Sequence, residues 1–362
     1  MHQIFVINPG STSTKLALFQ GEDNHFAQTV NHDTTALASF TSILDQFQFR
    51  LNAINDFIQH NQIDLETIDA FVGRGGLLKP IPSGTYIVDQ HMLTDLKHSI
   101  GSEHASNLGA LLAYELGKSH EKPAFIVDPV VVDELDDIAR LSGHPAFQRK
   151  SIFHALNQKS AARMAAGELS KPYEALNLIV AHLGGGISIG AHKHGKVVDV
   201  NNALDGEGPY SPERSGTLPA GDLVKLCFSG SKTPKEVTRM IRGQGGMVAY
   251  LGTNDMRDIL KRIKSNQDKR AEQIYKGMAY QVAKTIGEMA VVLKGKVDAI
   301  ILTGGIVYDN IIVKWITEFV EFIAPLFVYP GEGEMQALAN GALRVLIGTE
   351  NPKTYRENIL HL

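Results

Sequence analysis

The chain opens the same structural phrase twice. Gln3-Ile4-Phe5-Val6-Ile7 is an apolar run of β character that breaks at Asn8-Pro9-Gly10 and resumes from Lys15 to Phe19. Leu178-Ile179-Val180-Ala181 is a second such run; it empties into Gly184-Gly185-Gly186, returns as Ile187 to Ala191, and turns at Lys193-His194-Gly195 into Val197 to Val200. Short apolar runs bounded by small residues predict buried strands, and a tight turn between two of them predicts antiparallel pairing. A chain built this way is expected to hold two related sheets, the mark of an internal duplication.

Helical spacing separates further strands. Ile43, Phe47, Leu51, Ile54 and Ile58 put an apolar stripe on a helix from about Phe40 to His60; Met92–Ile100, Leu108–Leu116, 151–166, Glu272–Leu293 and Met335–Gly348 read as helices, with strands at Ile68–Val72, Ala124–Val127 and Ala299–Thr303. This alternation predicts an α/β fold with mixed sheets. At 362 residues the chain exceeds the ~100–200 residues of one ordinary domain, so two are expected. The predicted domains are 1–150 and 151–345, with a helix at about 346–362 packing back on the first.

Composition narrows the partners. Hydrophobic residues at 43% and charged residues at 20% are those of an ordinary globular protein, and a formal charge of −4 offers no basic excess for nucleic acid or an anionic membrane surface. The one basic cluster, Lys261 to Arg270, falls in a stretch that reads as an amphipathic helix and is taken as its solvated face. The single cysteine, Cys227, excludes an internal disulfide and a thiolate zinc site, which fits a reducing compartment. No signal peptide and no apolar run near the ~20 residues of a membrane span is visible, so a cytoplasmic location is expected.

Asn8-Pro9-Gly10-Ser11-Thr12-Ser13-Thr14-Lys15 gathers hydroxyls and backbone N–H donors beside one lysine, a composition suited to phosphate oxygens. It is not a P-loop, which needs Gly immediately before the Lys and a helix after it. A phosphate-binding β-hairpin and a plain polar turn both remain open. Gly184-Gly185-Gly186 and Gly304-Gly305 close buried strands, where backbone without side chains either meets a nucleotide or merely turns tightly.

These segments, with His182-Leu183 before the glycines, Asp205-Gly206-Glu207-Gly208-Pro209-Tyr210-Ser211-Pro212-Glu213-Arg214-Ser215-Gly216 and Leu302-Thr303-Gly304-Gly305, resemble the acetate and butyrate kinase family of the actin and hexokinase superfamily over nearly the whole chain. The resemblance implies two ribonuclease H-like domains flanking a cleft. It implies reversible, in-line phosphorylation of a short-chain fatty acid by ATP, butyrate leading and acetate, propionate or isobutyrate as alternatives, and a homo-oligomer. A non-catalytic actin-like nucleotide-binding module is the alternative of another class.

By the same resemblance Asn8 and Glu334 help hold Mg²⁺. Lys15, Ser11, Ser13 and His182 with Gly184, Gly185 and Gly186 face the phosphates of ATP/ADP. Arg74 binds the substrate carboxylate, with Gly76 and His104 beside it, and His154 and Arg214 stabilise the phosphoryl group. Asp255, Met256, Arg257, Gly304 and Gly305 enclose the adenosine, and Asp128 matches the family's essential acid.

Each role has a plainer counterpart. His154 also reads as a satisfied helix histidine, Arg74 and Arg214 as solvated loop arginines, Glu334 as a helix-start acid and Asp128 as a turn cap before Pro129. The fatty acid, with a carboxyl pKa near ~4–5, needs no base, so Asp128 is expected to position Mg²⁺. Acetate kinases carry Asn where Gly185 stands and bulky aliphatics where Gly75-Gly76 stand, so Gly76 is expected to leave room for a longer alkyl tail.

Overall fold

The computed structural model describes residues 1–98 and 103–360. Its strands are β1 (Gln3–Pro9), β2 (Ser13–Gln20), β3 (Asp23–Asn31), β4 (Ala70–Arg74), β5 (Thr85–Ile87), β6 (Ala124–Val127), β7 (Asn177–Leu183), β8 (Ile187–Lys193), β9 (Lys196–Val200), β10 (Ala299–Gly304), β11 (Leu326–Pro330) and β12 (Lys353–Thr354). They form two mixed sheets, ordered β12-β5-β6-β4-β1-β2-β3 and β11-β10-β7-β8-β9.

The two sheets share a wiring. In the first, β1, β2 and β3 run antiparallel in sequence and β4 and β6 add in parallel beyond β1. In the second, β7, β8 and β9 repeat the antiparallel meander and β10 and β11 repeat the parallel additions beyond β7. The recurrence expected from the two apolar-turn-apolar phrases is therefore a recurrence of topology. Parallel central strands flanked by helices are buried on both faces, which is why Ile4 to Ile7, Leu178 to Ala181 and Ala299 to Leu302 are continuously apolar and fully buried.

Met1–Asp133 and the chain from Gly333 onward make one compact unit, and Glu134–Glu332 makes the other. The sequence reading placed these joins at 150 and 345. The helix Glu334–Leu346 falls with the first unit because Ala337, Leu338, Ala339, Gly341 and Ala342 bury its face there, Gly341 lying against Val127 with no room for a side chain. After Leu346 the expected helix of about 346–362 gives way to β12, which pairs with β5, and a short turn of helix at Tyr355–Asn358; the last two residues lie outside the described residues.

Two other expectations change. The helix expected over Met92–Ile100 spans Gln90–Lys97, and Ile100 lies outside the described residues. The basic cluster Lys261–Arg270 is not one helix: Met256–Asn266 ends at Gln267 in the left-handed region (φ 50°), and Asp268 caps the next helix, Lys269–Val292, through Ala271 N–H. Arg262 closes the break by pairing with Asp268. Among the described residues no helix is long and apolar enough to cross a membrane.

Candidate active site

In the first unit the phosphate-loop candidate is the β1–β2 turn. Pro9 pairs with Thr14 across it and Gly10 N–H bonds Ser13 O at 2.7 Å, leaving Ser11 and Lys15 exposed and Thr14 buried. Beneath it lies a residue the sequence reading missed. Arg50, fully buried on the Phe47–His60 helix, donates to Ser11 O (3.1 Å), Ser13 O (3.2 Å), Thr14 Oγ1 (3.2 Å) and twice to Gln46 Oε1. No carboxylate among the described residues pairs with it. The burial of neighbouring His32, 2.8 Å from Thr14 Oγ1, and then the charge of Arg50 hold the His32 pKa down at about 4. The signal was available: Arg50 stands on the same face as Phe47, Leu51 and Ile54, where an apolar residue belongs.

Asn8, Arg74 and Glu334 meet. β1 and β4 are parallel neighbours, so Asn8 and Arg74 emerge together at their carboxyl ends. Glu334, the first residue of its helix, joins them: Arg74 donates to Glu334 at 2.8 Å, Asn8 Nδ2 to Glu334 at 2.7 Å, and Arg74 to Asn8 Oδ1 at 3.4 Å. Neither the solvated-loop reading of Arg74 nor the plain helix-start reading of Glu334 describes this cluster. His104 is held close by: its Nδ1 accepts Ser106 N–H, and desolvation, then the charge of Arg74, lowers its pKa.

Asp128 is buried at the end of β6 with φ 39°, a backbone state most residues avoid. Its Oδ1 accepts from Ser83 Oγ (2.6 Å) and Gly84 N–H (2.8 Å), and its own N–H donates to Gly84 O. That oxygen fastens the Ser83–Gly84 turn, so the carboxylate expected to position Mg²⁺ has a structural duty. Gly76 also differs from its expectation: a methyl there meets Asn107 Cα at 2.6 Å and Leu96 at 2.9 Å. Its missing side chain lets the loop pack on the helix Asn107–Ser119, and the position does not open on an alkyl pocket.

In the second unit, register does the positioning. His182 on β7 pairs with Ser188 on β8, and His154, at the N-cap of the helix Ala155–Glu168, sits over both. Its Nδ1 lies 2.9 Å from Ser188 Oγ and its ring stacks on His182 at 3.8 Å and 15°. His154 is thus not a mid-helix histidine. Asn157, missed by sequence reasoning, accepts from His182 Nδ1 at 2.7 Å.

Arg214 lies against the turn that follows His182. A side chain on Gly186 would fall on the Arg214 guanidinium, which donates to Ala203 O at 2.5 Å. Ser211 ties this loop to Gly185 O at 2.6 Å. Desolvation lowers the Arg214 pKa, Glu213 and Asp205 opposing it. The glycines differ in duty: Gly184 crowds His182, Gly186 admits Arg214, and Gly185 has room, its nearest contact being Glu213 at 3.6 Å.

Gly304 has φ 100° and its Cβ position is filled by Leu183 backbone, whereas Gly305 faces open space. Asp255 caps the helix Met256–Asn266 and binds Arg257 through both oxygens (2.7 and 3.0 Å), which holds its pKa at about 2. These two exposed charges satisfy one another.

The profile of the acetokinase family matches residues 145–324. Two clostridial proteins align over 354 residues, 98% of this chain and 99% of theirs: a probable butyrate kinase of Clostridium botulinum at 53% identity and butyrate kinase 2 of Clostridium acetobutylicum at 54%. Among solved structures, acetate kinase of Porphyromonas gingivalis superposes with a TM-score of 0.75 (19% identity; 94% of this chain, 99% of that one). A propionate kinase of Francisella tularensis superposes at 0.72 (21% identity; 94% and 99%). The fold is theirs, and by identity over nearly its whole length this chain belongs to the acetokinase family.

Proposed function

We propose that this chain transfers the γ-phosphoryl group of ATP to butyrate, giving butanoyl phosphate and ADP. The observation that carries the reading is identity above 50% with proteins named butyrate kinases over nearly the whole of both chains.

The acid is ionised at neutral pH, so the enzyme has no proton to remove. Its tasks are to hold two anions together and to stabilise charge on the equatorial oxygens of the transferred group. Arg74 is the carboxylate ligand: one arm of its planar guanidinium already holds the Glu334 carboxylate, the fork is geometrically matched to carboxylates, and butyrate is a second partner of the same kind. The β1–β2 turn, with Ser11, Ser13 and Lys15, and the His182 to Gly186 strand end receive phosphate oxygens. His154 and Arg214 supply donors to the group in flight, and Gly304, Gly305 and the 255–257 segment take the adenosine.

Asn8 Oδ1 and the Glu334 carboxylate are hard oxygen donors, and among the described residues no cluster of three His, Cys, Asp or Glu competes for a metal. One carboxylate and one amide fit Mg²⁺, which keeps waters and phosphate oxygens for its remaining positions. When bound it supplies positive charge to the phosphates. Asp128, through the Ser83–Gly84 turn, acts as a positioning residue.

The helix Ala220–Phe228 buries none of its residues and exposes Val224 and Phe228, which supports a homo-oligomer. An exposed Cys227 suits a reducing, cytoplasmic setting.

The test is acyl phosphate formation from ATP and Mg²⁺ with acetate, propionate, butyrate, isobutyrate and valerate, trapped as the hydroxamate. A maximum at butyrate that disappears in Arg74→Ala is expected. A maximum at another acid reassigns the substrate; ATP binding without product from any acid favours the non-catalytic module.

A further inference from the structure

Behind His154 runs a line of buried polar groups that the reading above does not use. Tyr173, His192, Gln158 and Ser188 are all within the second unit and almost fully buried. Tyr173 OH is 2.6 Å from His192 Nδ1, His192 Nε2 is 3.0 Å from Gln158 Oε1, Gln158 Nε2 is 2.8 Å from Ser188 Oγ, and Ser188 Oγ is 2.9 Å from His154 Nδ1.

The direction of every bond follows from one carbonyl. Gln158 Nε2 lies 3.0 Å from the backbone oxygen of Ser188, which can only accept, so the amide nitrogen faces Ser188 and Oε1 faces His192. His192 must then carry its proton on Nε2. Burial, with the charges of Lys159 and Arg163, lowers its pKa well below the ordinary value, so the ring is neutral. Its Nδ1 accepts, and Tyr173 donates. At the other end, Ser188 Oγ receives Gln158 Nε2–H and, at 3.4 Å, His154 backbone N–H. Among the described residues His154 Nδ1 is its one acceptor, so the hydroxyl proton points there.

The geometry points to a one-way donor chain, Tyr173 to His192 to Gln158 to Ser188 to His154, that fixes His154 as the neutral Nε2–H tautomer and so makes it a hydrogen-bond donor toward the phosphoryl group. This rests on the reading of His154 as a phosphoryl contact. The opposite tautomer would turn a lone pair toward anionic oxygens, the wrong sign for stabilising them. Gln158, His192, Ser188 and Tyr173 are positioning residues: they act through His154.

The test is the ¹⁵N NMR signature of the histidine rings in the full-length chain, with His154 assigned by its loss in His154→Asn. The wild type is expected to show His154 protonated on Nε2. Gln158→Glu removes the N–H donors, so Ser188 turns its proton to the new carboxylate and His154 must donate from Nδ1. The signature should move to that ring nitrogen, and kcat should fall about 10²–10³-fold, as for loss of one transition-state donor, with KM for both substrates little changed. Ser188→Ala, a smaller change, should release the fixed tautomer and lower kcat about tenfold or more, and carries the same readings if Gln158→Glu does not fold. A wild-type His154 protonated on Nδ1, or a folded Gln158→Glu with unaltered signature and kcat, overturns the chain. An Nε2–H signature in an enzyme that makes no hydroxamate upholds the chain and overturns the kinase reading.

Discussion

The imidazoles of His154 and His182 stack at 3.8 Å, nearly parallel, yet their partners hold them in opposite senses. Asn157 Nδ2 donates to Glu332 O at 2.6 Å, so its Oδ1 is the acceptor that fixes a proton on His182 Nδ1, whereas Ser188 delivers a proton to His154 Nδ1. Two neighbouring rings of one chemistry are thereby made non-equivalent.

Asn157→Ala removes the acceptor for His182. The expected outcome is a rise in KM for ATP of about 10–100-fold, the range for a buried donor left without its partner, with KM for butyrate unchanged. Steady-state kinetics with each substrate varied checks it; equal effects on both would remove His182 from the phosphate side.

Arg50 holds the phosphate-loop candidate from behind with a guanidinium that no carboxylate among the described residues pairs with. Arg50→Leu takes away the donor to Ser11 O and leaves Ser13 O to Gly10 N–H and Thr14 Oγ1 to His32 alone; it should lower unfolding free energy by about 2–4 kcal/mol while raising KM for ATP about tenfold. Denaturant unfolding and kinetics measure the two. Lost stability with unaltered ATP kinetics would make Arg50 a core residue alone.

His32 gives a pH signature. Its folded pKa of about 4 lies below the ordinary 6.5, so the unfolded chain binds the extra proton first as pH falls. The contribution is fully present above about pH 6.5 and is lost between there and about pH 4. Melting temperature should drop more steeply across this window in the wild type than in His32→Gln; parallel curves would count against the buried neutral ring.

Gly76 and Gly185 separate packing from pocket. Gly76→Val must displace Asn107 backbone and Leu96, so a loss of stability of about 1–3 kcal/mol is expected, without a clean shift of acid preference. Gly185→Asn has room and should leave the melting temperature within a degree or two. A stable Gly76→Val enzyme that prefers acetate would restore the pocket reading.

What could be read from the sequence divides along physical lines. Strand position, the double opening phrase and the α/β class were legible because continuous apolar runs have few other ways to be buried. Helix limits around Gln267 were not, since a left-handed residue carried by glutamine has no compositional mark. The paired roles of Asn8 and Glu334 came from resemblance, and only coordinates show that Arg74 completes the group. Arg50, Asn157 and Gln158 were passed over because periodicity marks a helix face as apolar and ignores the polar exceptions on it.

The return of the Glu334–Leu346 helix to the first unit sets an order of events during synthesis. Asn8 and Arg74 leave the ribosome early, but the carboxylate that meets them is made only after the whole of the second unit. Domains that fold as they emerge would leave this corner waiting for the chain's final stretch. A chain that stops short of Glu334 therefore carries Asn8 and Arg74 without their shared carboxylate, and the cluster can close only after the second unit has been made.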